Sequence, residues 1–211
     1  MDGRDGDHDQ SASARHQLLA AFVFRILARF VELHDLGLCF QAPFQHHLPH
    51  SGREPDLLFV ARDHVDQLQP PGKPNRVEGP ADLLVEVVSV LESVERDRKE
   101  KFKEYRQGRV PEYWILDPDN QQADFYQLDA RYAYRRIVPD RQGVYRSRSV
   151  SGFWVNVNWF WHDPLPDVDQ ILREIAPAAH ARDLAARADD AYVRTLLNQL
   201  RQQGKLPGNG R

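Results

Sequence analysis

Cysteine is nearly absent: the 211 residues hold one, Cys39. An intrachain disulfide is therefore excluded, and a lone thiol suits a reducing, cytoplasmic setting. Long apolar runs are missing too. No stretch approaches the roughly 20 residues a membrane-spanning helix needs, so no membrane partner is expected. The opening MDGRDGDHDQ is acidic and polar, unlike an export signal, and residues 1–10 read as a disordered lead-in. The net charge of −3 gives no global field toward polyanions, so any nucleic-acid contact must come from a local basic face. There is no glycine-rich phosphate loop and no Gly-x-Ser-x-Gly elbow.

What is present is pattern. Leu18, Leu19, Phe22, Val23, Ile26, Leu27, Phe30 and Val31 recur every three or four residues. That spacing predicts an amphipathic helix that starts near Ser11 and stops at Gly37. LCFQAPFQHHL predicts one extended segment, and EPDLLFV a strand with Pro55 at its start, where a missing N–H is tolerated. Residues 61–80 are polar and rich in proline and glycine, which predicts a long loop. ADLLVEVVS reads as a strand buried on both faces. Residues 92–107 read as a helix, and PEYWILD, ADFYQL, YAYRRIV and GVYRSRSV as successive strands. GFWVNVNWFW adds an aromatic strand, and beyond DPLPD the chain turns helical again. The order predicts an α/β or α+β sheet domain over residues 11–176, a C-terminal helix over 177–204 and a disordered tail over 205–211. That last helix carries a stripe of Leu184, Ala188, Ala191, Tyr192, Thr195, Leu196 and Leu200, suited to its own sheet or to a partner.

Glu86 interrupts the most apolar strand. An ionised carboxylate there costs several kcal/mol unless something compensates. Pairing with a basic side chain, binding a metal ion, or standing at the strand's exposed end would each do so. Asp56 also stands at the mouth of an apolar strand. Two carboxylates on neighbouring strands repel unless a cation lies between them, and oxygen-only ligands favour a hard ion such as Mg²⁺. On the following helix Val94, Arg98, Lys101 and Tyr105 step by four, three and four, so they share a face, bordered by Leu91 and Phe102. That face turns to the sheet and brings Lys101 toward the carboxylates, where an ammonium balances charge, holds a water or stabilises an oxyanion. The plain alternative is a structural Glu–Lys or Glu–Arg bridge, with Asp56 an ordinary strand-start residue.

REPDLLFV, GPADLLVEVVS, DRKEKFKEYRQGRVPEYWILDP and the late VSGFWVNVNWFW, in this order, resemble the Uma-two family of restriction-endonuclease-like proteins. That family is a bacterial branch of the PD-(D/E)xK nuclease superfamily, and the likeness spans roughly residues 15 to 170. The resemblance implies a restriction-endonuclease-like mixed β-sheet core flanked by helices, with a C-terminal helical extension. It implies a DNA endonuclease dependent on Mg²⁺, for which Mn²⁺ substitutes, and a homodimer. By position it implies Asp56 and Glu86 as metal ligands, the backbone carbonyl of Val87 as a third, and Lys101 as the catalytic lysine. The superfamily's lysine usually stands two residues after the acidic strand residue. Here that residue is Val88, and the family pattern moves the lysine to the next helix. Two features depart from the family. SVLES, with Ser89, replaces its usual Ser-Pro-Ser-Thr, and SARHQ, with Arg15 and His16, replaces a glutamate near the start of the first helix. His16 is read either as a site group or as a capping or surface histidine. Two other readings of the same fold are a non-catalytic nucleic-acid-binding or assembly protein, and a hydrolase of another phosphodiester.

Arg96, Arg98, Lys99, Lys101, Lys103, Arg106 and Arg109 crowd the central helix, against Asp97, Glu100 and Glu104. From Arg131 to Arg148 six arginines face Asp140 alone, interleaved with Tyr132, Tyr134 and Tyr145. Such a surface suits phosphate contact and base stacking, with Arg98, Lys99, Lys103, Arg135 and Arg136 as the candidate contacts. The alternative is a solvated sheet face. His46, His47 and His50 make a weak zinc motif, because adjacent strand residues point to opposite faces. Cys39 and the aromatics Tyr113, Trp114 and Trp154 read as core.

Overall fold

The computed structural model describes residues 14–88 and 97–206. Ser89, Leu91, Val94 and Arg96, the lead-in 1–10 and positions 207–211 of the tail lie outside the described residues.

Helix α1, Ala14–His34, buries Leu19, Phe22, Val23, Ile26, Leu27, Phe30 and Val31, the stripe its periodicity predicts, while Leu18 points to solvent. At Gly37 the chain turns into strand β1, Gly37–Gln41. The positive φ of Gly37 and its contact with the Val60 carbonyl oxygen leave no room for a Cβ. The segment expected as one extended run is two strands. Pro43 has no N–H to continue a ladder, and β2, Gln45–Leu48, joins a different sheet from β1. Strand β3, Ser51–Arg53, forms a hairpin with β2 before the chain enters β4, Leu57–Ala61.

Residues 61–80 are more ordered than a loop. A 3₁₀ turn over Arg62–Gln67 leads to β5, Leu68–Gln69, and then β6, Arg76–Glu78. Leu68 and Val77, apolar residues in a polar stretch, pair across these strands and are buried in one cluster with Leu58, Val60 and Leu84 of the main sheet, which ties the segment to that core.

Strand β7, Leu83–Val87, is followed after the crossover by a π-helical turn over Asp97–Lys101 and helix α2, Phe102–Gln107. Then come β8, Glu112–Asp117, β9, Gln122–Leu128, β10, Tyr134–Ile137, β11, Val144–Arg146, and β12, Trp154–Asn156. The main sheet runs β1-β4-β7-β8-β9-β10, with β7 and β8 parallel and the other pairs antiparallel. GFWVNVNWFW is strand only at its start; Val157–Trp161 is a 3₁₀ turn begun by the Asn156 side chain, which accepts the Asn158 N–H.

The C-terminal segment is helix α3, Val168–Ile175, then α4, Pro177–Asp189, then α5, Ala191–Gln202. The single helix expected over 177–204 is thus two. Asp190 has extended backbone, and its carboxylate accepts the N–H groups of Tyr192 and Val193, so it starts a new helix. Of the predicted stripe, Leu184, Tyr192 and Leu196 are exposed.

Strand alternation sorts the core into two clusters. Leu83, Val85 and Val87 face α1, α3 and α4; Leu84 and Val88 face α2 together with Leu58, Tyr105 and Ile115. Glu86 falls on the second face.

Candidate active site

The site is built at the end of β7. The last paired residues of β4 and β7 there are Leu57 and Val85, and Asp56 and Glu86 are the next residues beyond them. Pro55 ends the ladder on the β4 side, and the Asp56 side chain continues it. Its Oδ2 accepts the Val87 N–H at 2.7 Å. The carboxylate therefore lies in line with the sheet, where a group from α1 also reaches it. His16 Nε2 lies 3.2 Å from Asp56 Oδ1, and the imidazole is buried. His16 is thus a buried partner of Asp56 and not an exposed surface histidine.

Glu86 is only 3% exposed, yet its charge is met. Lys101 Nζ lies 2.8 Å from Oε2, and the Tyr105 hydroxyl donates to Oε1 at 2.9 Å. Both donors come from one face of the crossover helix, four residues apart, as the spacing predicts. Lys101 closes the π turn that opens α2, a helical irregularity common at functional sites. Tyr105 is fully buried, with its ring edge-on to Tyr113.

The donor chemistry suits a hard divalent cation in one respect. Mg²⁺ is commonly held by one or two carboxylates and keeps several waters, and Asp56 and Glu86 supply two carboxylates on adjacent strands. In a ladder a residue's N–H and C=O point to the same neighbour, so the Val87 carbonyl is directed to the Asp56 side as its N–H is. Among the described residues no group of three or more His, Cys, Asp or Glu side chains is placed to hold a metal, so a closed cage of side chains is not what this site offers.

The candidate nucleic-acid contacts separate into two sets. Lys99 and Lys103 are exposed on the α2 side. Arg135 is paired with Asp129 at 2.8 Å and Arg136 with the buried Asp124 at 2.7 Å, while both guanidiniums stay more than half exposed. The side chain of Arg98 lies outside the described set. The interleaved tyrosines are not a stacking platform. Tyr145 is buried, and Tyr134 turns inward to donate to the Val110 carbonyl. Tyr132 is exposed, with the Arg109 guanidinium 4.3 Å from its ring centre.

Three further groups are structural. His46 is fully buried, and its Nε2 accepts the Ala81 N–H at 3.2 Å, while His47 faces outward to Glu78 and Gln45. Cys39 is half-buried against the core, and desolvation, with Glu32 nearby, pushes its thiol pKa up. Glu112, read only as the start of a strand, is fully buried and accepts five hydrogen bonds. Trp114 Nε1 and the Tyr145 hydroxyl donate to Oε1; the Ser147 hydroxyl and the N–H groups of Arg148 and Ser149 donate to Oε2.

A mixed sheet covered on both faces by helices, with an acidic pair at the shared end of two central strands and a lysine from the crossover helix, defines a restriction-endonuclease-like domain. The chain belongs to the Uma2 family, described as "Putative restriction endonuclease", whose model matches residues 5–158. A solved structure described as a "putative nuclease belonging to DUF820 from Anabaena variabilis" is similar, with a TM-score of 0.55 over 71% of this chain and 81% of that one. The two are 13% identical, so this likeness shows the fold alone. No curated protein matches the chain. Family membership supports a nuclease. Among the described residues no helix is long and apolar enough to cross a membrane.

Proposed function

We propose that the protein is a Mg²⁺-dependent endonuclease that hydrolyses phosphodiester bonds of DNA, with Mn²⁺ as a substitute ion. The observation that carries this reading is the buried Lys101–Glu86 pair, at the sheet end where Asp56 and Glu86 stand next beyond the last paired residues of β4 and β7. Asp56, Glu86 and the Val87 carbonyl would hold the ion. Bound there, the ion would polarise the scissile phosphate and lower the pKa of a water.

The chain's own residues do the rest. The Val87 N–H and His16 fix the Asp56 carboxylate, and the Tyr105 hydroxyl fixes Glu86. Lys101 then has one role at each stage. Before substrate arrives it neutralises Glu86. With a phosphodiester in place its ammonium orients the attacking water and offsets charge on the phosphoryl oxygens. Phosphate contacts fall to the exposed Lys99 and Lys103 on the α2 side, with Arg135 and Arg136 of β10, more than half exposed, as a second set. Nothing in this set reads base edges, so the contacts position a duplex without selecting a sequence. A homodimer in the cytoplasm belongs to the same reading, because two centres suit the cutting of two strands.

Calorimetric titration with Mn²⁺ tests the metal site. The wild type should bind the ion and Glu86→Gln should not. Equal binding by both would overturn the assignment of Glu86.

A further inference from the structure

Helix α2 presents a second carboxylate near the active lysine. Glu104 stands one position before Tyr105 and three after Lys101, and its pKa is lowered first by the Arg53 guanidinium, with the Lys101 ammonium as the smallest contributor. Glu104 is occupied elsewhere. Arg53 Nε donates to its Oε2 at 2.8 Å and Arg53 Nη2 to its Oε1 at 2.7 Å, a bidentate fork. The Ser51 hydroxyl adds a third bond to Oε2 at 2.6 Å. Glu100 lies at the edge of the same guanidinium, 3.9 Å away, and is largely exposed. Arg53 belongs to β3, three residues before Asp56. The helix does not need this fork to stay on the sheet. Tyr105 is buried, and Phe102 packs edge-on against Tyr126 and Tyr134.

We propose that Arg53 is a positioning residue that sequesters Glu104, so that the Lys101 ammonium is left to Glu86 and the reacting phosphate. The proposal rests on the nuclease reading for its consequence, but not for its geometry. An unneutralised Glu104 would stand three residues from Lys101 on the same helix and draw on an ammonium that the buried Glu86 cannot lose without leaving its own charge unpaired, so the fork keeps the two carboxylates from sharing it. The bidentate fork uses both oxygens of Glu104 and cancels its charge, which a lysine at position 53 would do less well.

The test compares Arg53→Met, Glu104→Gln and the double variant, each first checked for cooperative melting. Crystal structures read the position of Lys101. In Arg53→Met the ammonium should move toward Glu104 and lengthen its contact with Glu86; in the double variant, which has no competitor, it should return to its wild-type position. Plasmid nicking should follow, falling on the order of a hundredfold in Arg53→Met and recovering most of that loss in the double variant. A fork that serves only as a structural staple predicts the reverse, with the double variant no better than Arg53→Met, and that result overturns the proposal. So does a Lys101 whose position in Arg53→Met is unchanged from the wild type. If Arg53→Met does not fold, Arg53→Gln takes its place with the same expectations. If the wild type nicks no plasmid, the nuclease reading fails, while the crystal structures still decide the sequestration.

Discussion

Lys101 Nζ and Glu86 Oε2 lie 2.8 Å apart, the ammonium delivered by the crossover helix and the carboxylate by the central strand of the fold. Both side chains are nearly out of water, so neither charge is tolerable without the other. Lys101→Met should therefore lower stability by about 3–5 kcal/mol, the usual effect of breaking a buried pair. Glu86→Gln/Lys101→Met, which removes both charges, should regain most of it. Denaturant melts of the wild type, Lys101→Met, Glu86→Gln and the double variant measure this cycle.

Tyr105→Phe removes one hydroxyl and leaves the buried ring. Glu86 then loses its hydrogen bond at Oε1 but keeps Lys101. A hydrogen bond to a charged group contributes about 1.5–3 kcal/mol, so stability should drop by that order. Cleavage should fall less than in Lys101→Met, because the ammonium remains. Parallel melting and nicking assays separate the two effects.

Glu112 anchors the segment 147–149 and the β11–β12 hairpin to the main sheet through its five acceptor bonds. Glu112→Ala should cost at least about 3–5 kcal/mol, because it strands several buried donors at once. The loss should appear as a lower melting temperature in the absence of any metal or nucleic acid.

Much of this architecture is legible in the sequence. The 3.6-residue period of α1, the apolar run of β7 and the alternation after it set the fold class, because burial imposes those periods directly. The four-residue step from Lys101 to Tyr105 turned both toward the sheet for the same reason. The rest depends on contacts between distant residues. Nothing local ties His16 to Asp56, 40 positions away, or Arg53 to Glu104, 51 positions away. The partner of Arg136 is not legible in the stretch itself, because Asp124 lies on β9, which the sheet register brings alongside β10. Within LCFQAPFQHHL the proline at position 43 was the available signal that one run is two strands.

His46 gives the fold a pH dependence. Burial lowers its pKa from 6.5 to about 4, with the neighbouring His47 adding to the effect. Above pH 6.5 the imidazole is neutral in both the folded and unfolded chain and contributes no slope. As pH falls through 6.5 the unfolded chain takes up the proton first, so stability declines until about pH 4, where the folded state protonates as well. Mid-window the slope should approach about 1.4 kcal/mol per pH unit, the value for one proton. His46→Leu should lose this component, which urea melts at pH 7.5 and pH 5 would reveal as a smaller difference than in the wild type.

The most direct measurement is the nicking of supercoiled plasmid in Mg²⁺ by the wild type, Asp56→Asn, Glu86→Gln and Lys101→Met. The wild type should cut, chelator should stop it, and all three variants should lose cleavage. Undiminished cutting by Lys101→Met, or by the pair of carboxylate variants, would contradict the placement of the reaction at the end of β7.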